Sequence, residues 1–125
     1  MDSPYLRAIG FWNGPYTPDG WPDIEDFIDP EWDEDERDFV LAYLNHGVLA
    51  RVYMGYSTCR LCGKADNGES EYSDGTFVWP SGLAHYVESH AVRLPREFVK
   101  HAEDLTTRLE GDRDEAWWRT AARDW

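Results

Sequence analysis

Cys59-Arg-Leu-Cys62-Gly63 and, with 22 residues between Cys62 and it, His85-Tyr-Val-Glu-Ser-His90 are the stretches whose reading decides the fold. A Cys-x-x-Cys unit offers two sulfurs from one tight turn, and Gly63 gives the backbone the freedom such a knuckle needs. The two histidines are separated by four residues, inside the three-to-five window of a zinc site. Two thiolates and two imidazoles form a common tetrahedral set, so the chain is expected to hold one structural zinc through Cys59, Cys62, His85 and His90. Five residues turn a helix by about 500°. Both rings cannot share one regular helical face, so His90 is expected where its helix ends or unwinds.

Working outward, the gap between the two pairs exceeds the roughly 12 residues of a DNA-reading finger. A hairpin fills it: Glu71-Tyr72-Ser73, a turn at Asp74-Gly75, then Thr76-Phe77-Val78-Trp79. Pro80-Ser81-Gly82 ends the hairpin, and a short helix carries Leu83 to Ser89. Upstream, Val48 to Tyr56 has the β-branched and aromatic content of a strand. Before it, Asp33 reads as an N-cap with Glu36 completing a capping box, and the helix runs over 33–46 to a stop at Gly47. Downstream, Pro95 opens a helix to about Glu110 with Phe98, Val99, Ala102, Leu105 and Leu109 on its inner face. A last helix over 112–124 is expected to start at Asp112, with Glu115 as its box partner. Residues 1–30 read as an irregular, acidic arm whose aromatics pin it to the domain, with turns at Asn13-Gly14 and Pro18-Asp19-Gly20. The expected fold is α+β: one domain over 1–125, a small antiparallel sheet with a zinc-pinned hairpin–helix unit, the zinc core over 48–91, and three flanking helices. The C-terminal pair lies over 95–125.

The charge bounds the function. A net charge of −13 is uneven, because Asp19 to Asp38 hold eleven carboxylates against Arg37 alone. Direct nucleic-acid binding needs clustered Lys and Arg, and this balance argues against it. Carboxylates in the first turn of a helix have an ordinary explanation in the helix dipole. Asp23, Glu25, Asp26 and Asp29 lie outside that turn and are candidates for a recognition surface. No apolar run approaches the roughly 18 residues of a membrane-spanning helix, and Met1-Asp2-Ser3-Pro4 lacks a signal-peptide start. The expectation is a cytoplasmic protein, in which a Cys-x-x-Cys reads as a metal or redox site before it reads as a disulfide.

Catalytic signatures are missing from the sequence. A catalytic zinc keeps an open position, whereas four good donors are present here. Neither His-Glu-x-x-His nor its inverted order occurs, since Ser89 stands where the second histidine would be. Phosphate-cradling glycine loops are also lacking. No residue is assigned a catalytic role.

The run Cys-Arg-Leu-Cys-Gly followed by Ser-Asp-Gly-Thr-Phe-Val-Trp-Pro-Ser-Gly-Leu-Ala-His-Tyr-Val-Glu-Ser-His-Ala-Val-Arg-Leu-Pro resembles a group of small uncharacterised bacterial proteins over about Gly55 to Phe98. The resemblance implies a zinc-bearing module and carries no activity with it.

Two functions follow. The first is a non-enzymatic interaction protein, an inhibitor, immunity or accessory factor that docks a basic protein partner. Tryptophans are favoured interface anchors, and Trp117 and Trp118, about 100° apart on a helix, cannot both point along one narrow stripe. The second is a small zinc-dependent, hydrolase-like enzyme that uses the Cys2His2 metal or a cleft lined by His46 or His101 with Glu71 or Asp74.

Overall fold

Asp33 begins the first long helix as an N-cap, its carboxylate accepting the Glu36 N–H at 2.9 Å. The helix, α1, runs Glu34–Leu44. Glu36 does not return the bond as a capping box would: its carboxylate accepts the Trp32 indole N–H and lies near Arg93. Gly47 is not a left-handed stop either. Asn45 caps the helix with φ −77°, and a Cβ on Gly47 would lie 2.7 Å from the Trp79 ring, so its place is set by close packing.

The structure, a computed structural model, describes residues 5–14, 20–53, 57–111 and 113–124. It is α+β, with four α-helices and a four-stranded sheet. Contacts divide the chain into two compact units, Met1–Leu94 and Pro95–Trp125.

In the first unit the sheet order is β1-β4-β3-β2, with β1 Arg7–Ala8, β2 Val48–Val52, β3 Ser70–Ser73 and β4 Phe77–Pro80. The three longer strands are antiparallel, as expected. The arm adds what its irregular sequence did not announce: β1 pairs parallel with β4, making the sheet mixed, and Ile24–Phe27 forms a short 3-10 helix. The expected strand extended to Tyr56; β2 ends at Val52, and residues 54–56 lie outside the described residues. All five β2 residues are exposed.

The aromatics do pin the arm. Trp12 is buried, 5.3 Å from Phe27 and edge-on to Tyr86, and Ile24 is buried beside this cluster in sequence. The core continues through Val40 and Leu44 of α1, Phe77 and Trp79 of β4, and Leu83, Tyr86 and Val87 of α2, Leu83–His90. Burying each large apolar side chain stabilises the fold by roughly 1.5–3 kcal/mol.

The β3–β4 turn is built on Asp74. One carboxylate oxygen accepts the N–H groups of Thr76 and Phe77, and the other accepts the Tyr43 hydroxyl of α1 at 2.5 Å. Burial first, and then this bond, push the Tyr43 phenol above its ordinary range. Asp74→Ala leaves three donors without their acceptor and is expected to destabilise the first unit by roughly 2–3 kcal/mol. Urea denaturation checks it, and Tyr43→Phe should then add little on the Asp74→Ala background.

The second unit holds α3, Arg96–Gly111, and α4, Glu115–Ala121, with a 3-10 turn over Ala122–Asp124. The Pro95 carbonyl accepts the Phe98 and Val99 N–H groups and so starts α3. Phe98, Val99 and Ala102 are buried as their spacing implies, whereas Leu109 is largely exposed. The expected cap Asp112 lies outside the described residues; α4 is capped by Asp114, whose carboxylate accepts the Trp117 N–H at 3.0 Å.

Candidate metal centre

The knuckle sits at the tip of the β2–β3 hairpin. Beyond β2 the ladder continues through Tyr53 N–H to Glu69 O, Ser57 N–H to Gly68 O and Asn67 N–H to Ser57 O. The Cys59 N–H then donates to Lys64 O, and the Gly63 N–H returns to Cys59 O, closing the turn that aims both sulfurs one way. Gly63 has φ +75°, a left-handed conformation that uses glycine's backbone freedom.

The histidines come from α2, which leaves β4 through Ser81-Gly82. This corner is pressed against the returning knuckle strand: a Cβ on Gly68 would lie 2.7 Å from the Gly82 nitrogen, and one on Gly82 would lie 2.3 Å from the Asn67 carbonyl oxygen. Gly68 also has φ +89°. Glycine at both positions lets the two backbones approach, and that approach sets α2 over the cysteines. His90 is the last residue of α2, and Ala91 follows in the left-handed conformation with φ 50°. The two rings therefore converge from different directions, nearly perpendicular and 5.1 Å apart.

Cys62 Sγ lies 3.3 Å from His85 Nε2, and Cys59 Sγ lies 3.6 Å from His90 Nε2. All four donor atoms are within 4.8 Å of one another, close enough to bind one metal ion. Cys59 is buried, the histidines half-buried and Cys62 exposed.

Local electrostatics favour the metal-ready forms. Burial pushes the Cys59 thiol up, but hydrogen bonds from the Leu61 and Cys62 N–H groups, the Cys62 thiol and the Tyr86 hydroxyl outweigh it, leaving the thiol below its ordinary value. Tyr86 is held for this task, because its oxygen accepts the Arg60 N–H at 2.9 Å. Such outer contacts orient a ligand and tune its donor strength. The sequence marked the four ligands but had no signal for Tyr86 beyond its place next to His85.

His85 is pushed below its ordinary value, first by burial and then by His90 and Lys64, with Glu88 opposing. A base depressed in the folded state stabilises above its unfolded value and loses that contribution as pH falls. Bound metal acts in the same direction, since it needs neutral imidazole. The melting temperature of the metal-loaded protein should fall throughout acidification from pH 8, first because unfolded thiols with an ordinary value of 9.0 take up protons that the thiolates of the folded site exclude, and more steeply below 6.5, where the ordinary histidine value lies. Calorimetry from pH 8 to pH 5 reads this out, and a melting temperature that rises on acidification would contradict it.

The other marked residues are placed as follows. Asp29 accepts the Glu31 N–H and forms an ion pair with Arg93 at 2.9 Å, and Asp23 accepts the Asn13 side-chain amide. Glu25 and Asp26 face solvent on the 3-10 helix. Trp117 and Trp118 are 66% and 57% exposed, with ring centres 6.4 Å apart. His46 is exposed, its Nδ1 donating to Ala42 O, and His101 lies on α3. Glu71 accepts the Tyr53 hydroxyl; burial first and then that bond push the phenol up to about 12. Asp74 belongs to its turn. Among the described residues no helix is long and apolar enough to cross a membrane. Comparison of the chain with protein-family models, with curated proteins and with solved structures gives no match, so the metal-ligand geometry is what functional reasoning starts from.

Proposed function

We propose that this chain is a small, acidic, zinc-stabilised and non-enzymatic interaction protein of the cytoplasm, docking a basic protein partner as an inhibitor, immunity or accessory factor. A tetrahedral zinc centre with the usual bond lengths sets its sulfur and nitrogen donors about 3.6 Å apart. The separations of 3.6 and 3.3 Å agree with that. Two thiolates and two imidazoles complete the tetrahedron, leaving no position for water or substrate, so the zinc acts as a cross-link between the knuckle and α2.

The observation that carries the partner is α4. This seven-residue helix buries none of its residues and exposes two adjacent tryptophans. Helices this short are marginal in water without packing, and tryptophan is among the residues enriched as interface anchors. The exposed Glu25 and Asp26 suit a basic partner, whose approach acidic groups accelerate in a salt-dependent way.

The test compares the zinc-loaded chain with its Trp117→Ala/Trp118→Ala variant as bait for cytosolic proteins, followed by affinity measurement with each basic protein retained. The double variant should melt unchanged and bind at least about tenfold more weakly. Affinity should also drop as salt rises and when Asp23, Glu25, Asp26 and Asp29 are neutralised. A partner indifferent to all three changes would remove this reading.

A further inference from the structure

Beside the knuckle, and apart from the four metal donors, the first unit contains a cavity of about 350 Å³. Its volume falls at the lower end of the range for small-molecule sites. Phe11, Trp12, Trp21, Tyr53 and Tyr86 give it aromatic walls, with Phe11 and Trp21 5.7 Å apart and inclined by 37°. Surfaces of this kind accept a flat ring in offset or edge contact.

The charge of the lining is one-sided. Among the described residues no Asp or Glu lines this cavity, and the charged residue that does is Arg60. The Trp12 indole N–H is buried and has no hydrogen-bond partner among the described residues. An indole N–H can only donate, and leaving such a donor unmet in the interior costs about 1–3 kcal/mol. A guanidinium and an orphan N–H both call for acceptors. Repulsion from carboxylates more than about 8 Å away is screened at physiological ionic strength.

We infer that this cavity is a binding site for a small planar aromatic carboxylate, its ring between the aromatic walls, its carboxylate on Arg60 and an acceptor oxygen on the Trp12 N–H. The seat of Arg60 is built for this: its guanidinium lies on the backbone of Gly14, where an added Cβ would fall 1.6 Å from Nη1. Arg60 also sits between Cys59 and Cys62, so the ordered knuckle fixes the base of the side chain that would receive the ligand. The inference stands independently of the partner proposed for α4.

The probe is 2-naphthoate, titrated into the full zinc-loaded chain labelled with ¹⁵N, with 2-naphthylmethylamine as the cation of the same ring. The assigned Trp12 indole N–H resonance should move saturably with naphthoate and stay in place with the amine. Arg60→Gln should weaken naphthoate binding at least about tenfold, the loss expected for a charge-assisted bond. Gly14→Ala, whose three nearest neighbours would all be atoms of the flexible guanidinium end, should weaken it in the same direction; metal content and melting temperature verify that both variants are folded. Three results would overturn the site: a Trp12 resonance that never moves, equal binding of acid and amine, or Arg60→Gln binding as wild type.

Discussion

Chelating the metal is expected to abolish the cooperative melt of the unit that carries Cys59, Cys62, His85 and His90. Structural zinc sites of this ligand class contribute apparent folding free energies on the order of 10 kcal/mol, and a whole domain is stable by only about 5–15 kcal/mol. The first unit has little in reserve. One edge strand, β2, is exposed along its length, and the knuckle beyond it is held by a short run of backbone hydrogen bonds. Mass spectrometry of the purified protein should find one zinc per chain, and circular-dichroism melts before and after chelation should show the transition lost. Cys59→Ser and His90→Ala should each act like chelation, and combining them should add little, since the metal is already gone. A melt that survives with the metal demonstrably removed would return Cys59 and Cys62 to the dithiol reading.

Trp79→Ala is expected to cost the first unit about 3–5 kcal/mol, the range for emptying a buried large aromatic site. Trp79 is 1% exposed on β4, its ring 6.1 Å from that of Tyr43, and its indole N–H donates to Leu44 O at the end of α1. The substitution therefore opens a cavity between sheet and helix and leaves the last carbonyl of α1 without its donor. Gly47 offers no relief, because it has no side chain to move into the space. Trp79→Phe keeps most of the volume and should lose about 1–2 kcal/mol less, which separates the cavity from the hydrogen bond. Guanidinium denaturation of the zinc-loaded protein measures both, and a loss under 1 kcal/mol for Trp79→Ala would show that β4 does not anchor α1.

The elements legible in the sequence were those with local causes. Asp33 and the apolar spacing through Leu44 set α1, Asp74-Gly75 set the β3–β4 turn, and Pro95 set the start of α3. The four metal donors were legible because ligand spacing is itself local: a sulfur pair in one turn, an imidazole pair on one short helix. Even the position of His90 followed from helix arithmetic, and the structure places it as the last residue of α2.

What the sequence left open depends on residues far apart in the chain. Nothing in Arg7-Ala8 announces a strand; the pairing exists because the carbonyls of Thr76 and Val78 accept the Arg7 and Ile9 N–H groups. Gly47 read as a helix stop, but its neighbours are Trp79 and Tyr72, which only folding brings near. The Tyr86 hydroxyl became a partner of Cys59 for the same reason. Sequence by itself determined the α+β elements and the donor set, because dihedral preference, capping and ligand spacing act over a few residues. Only tertiary structure decided the mixed sheet, the exposure of Trp117 and Trp118, and the aromatic cavity beside the knuckle. Those are set by which distant surfaces remove one another from water, and no local pattern encodes that.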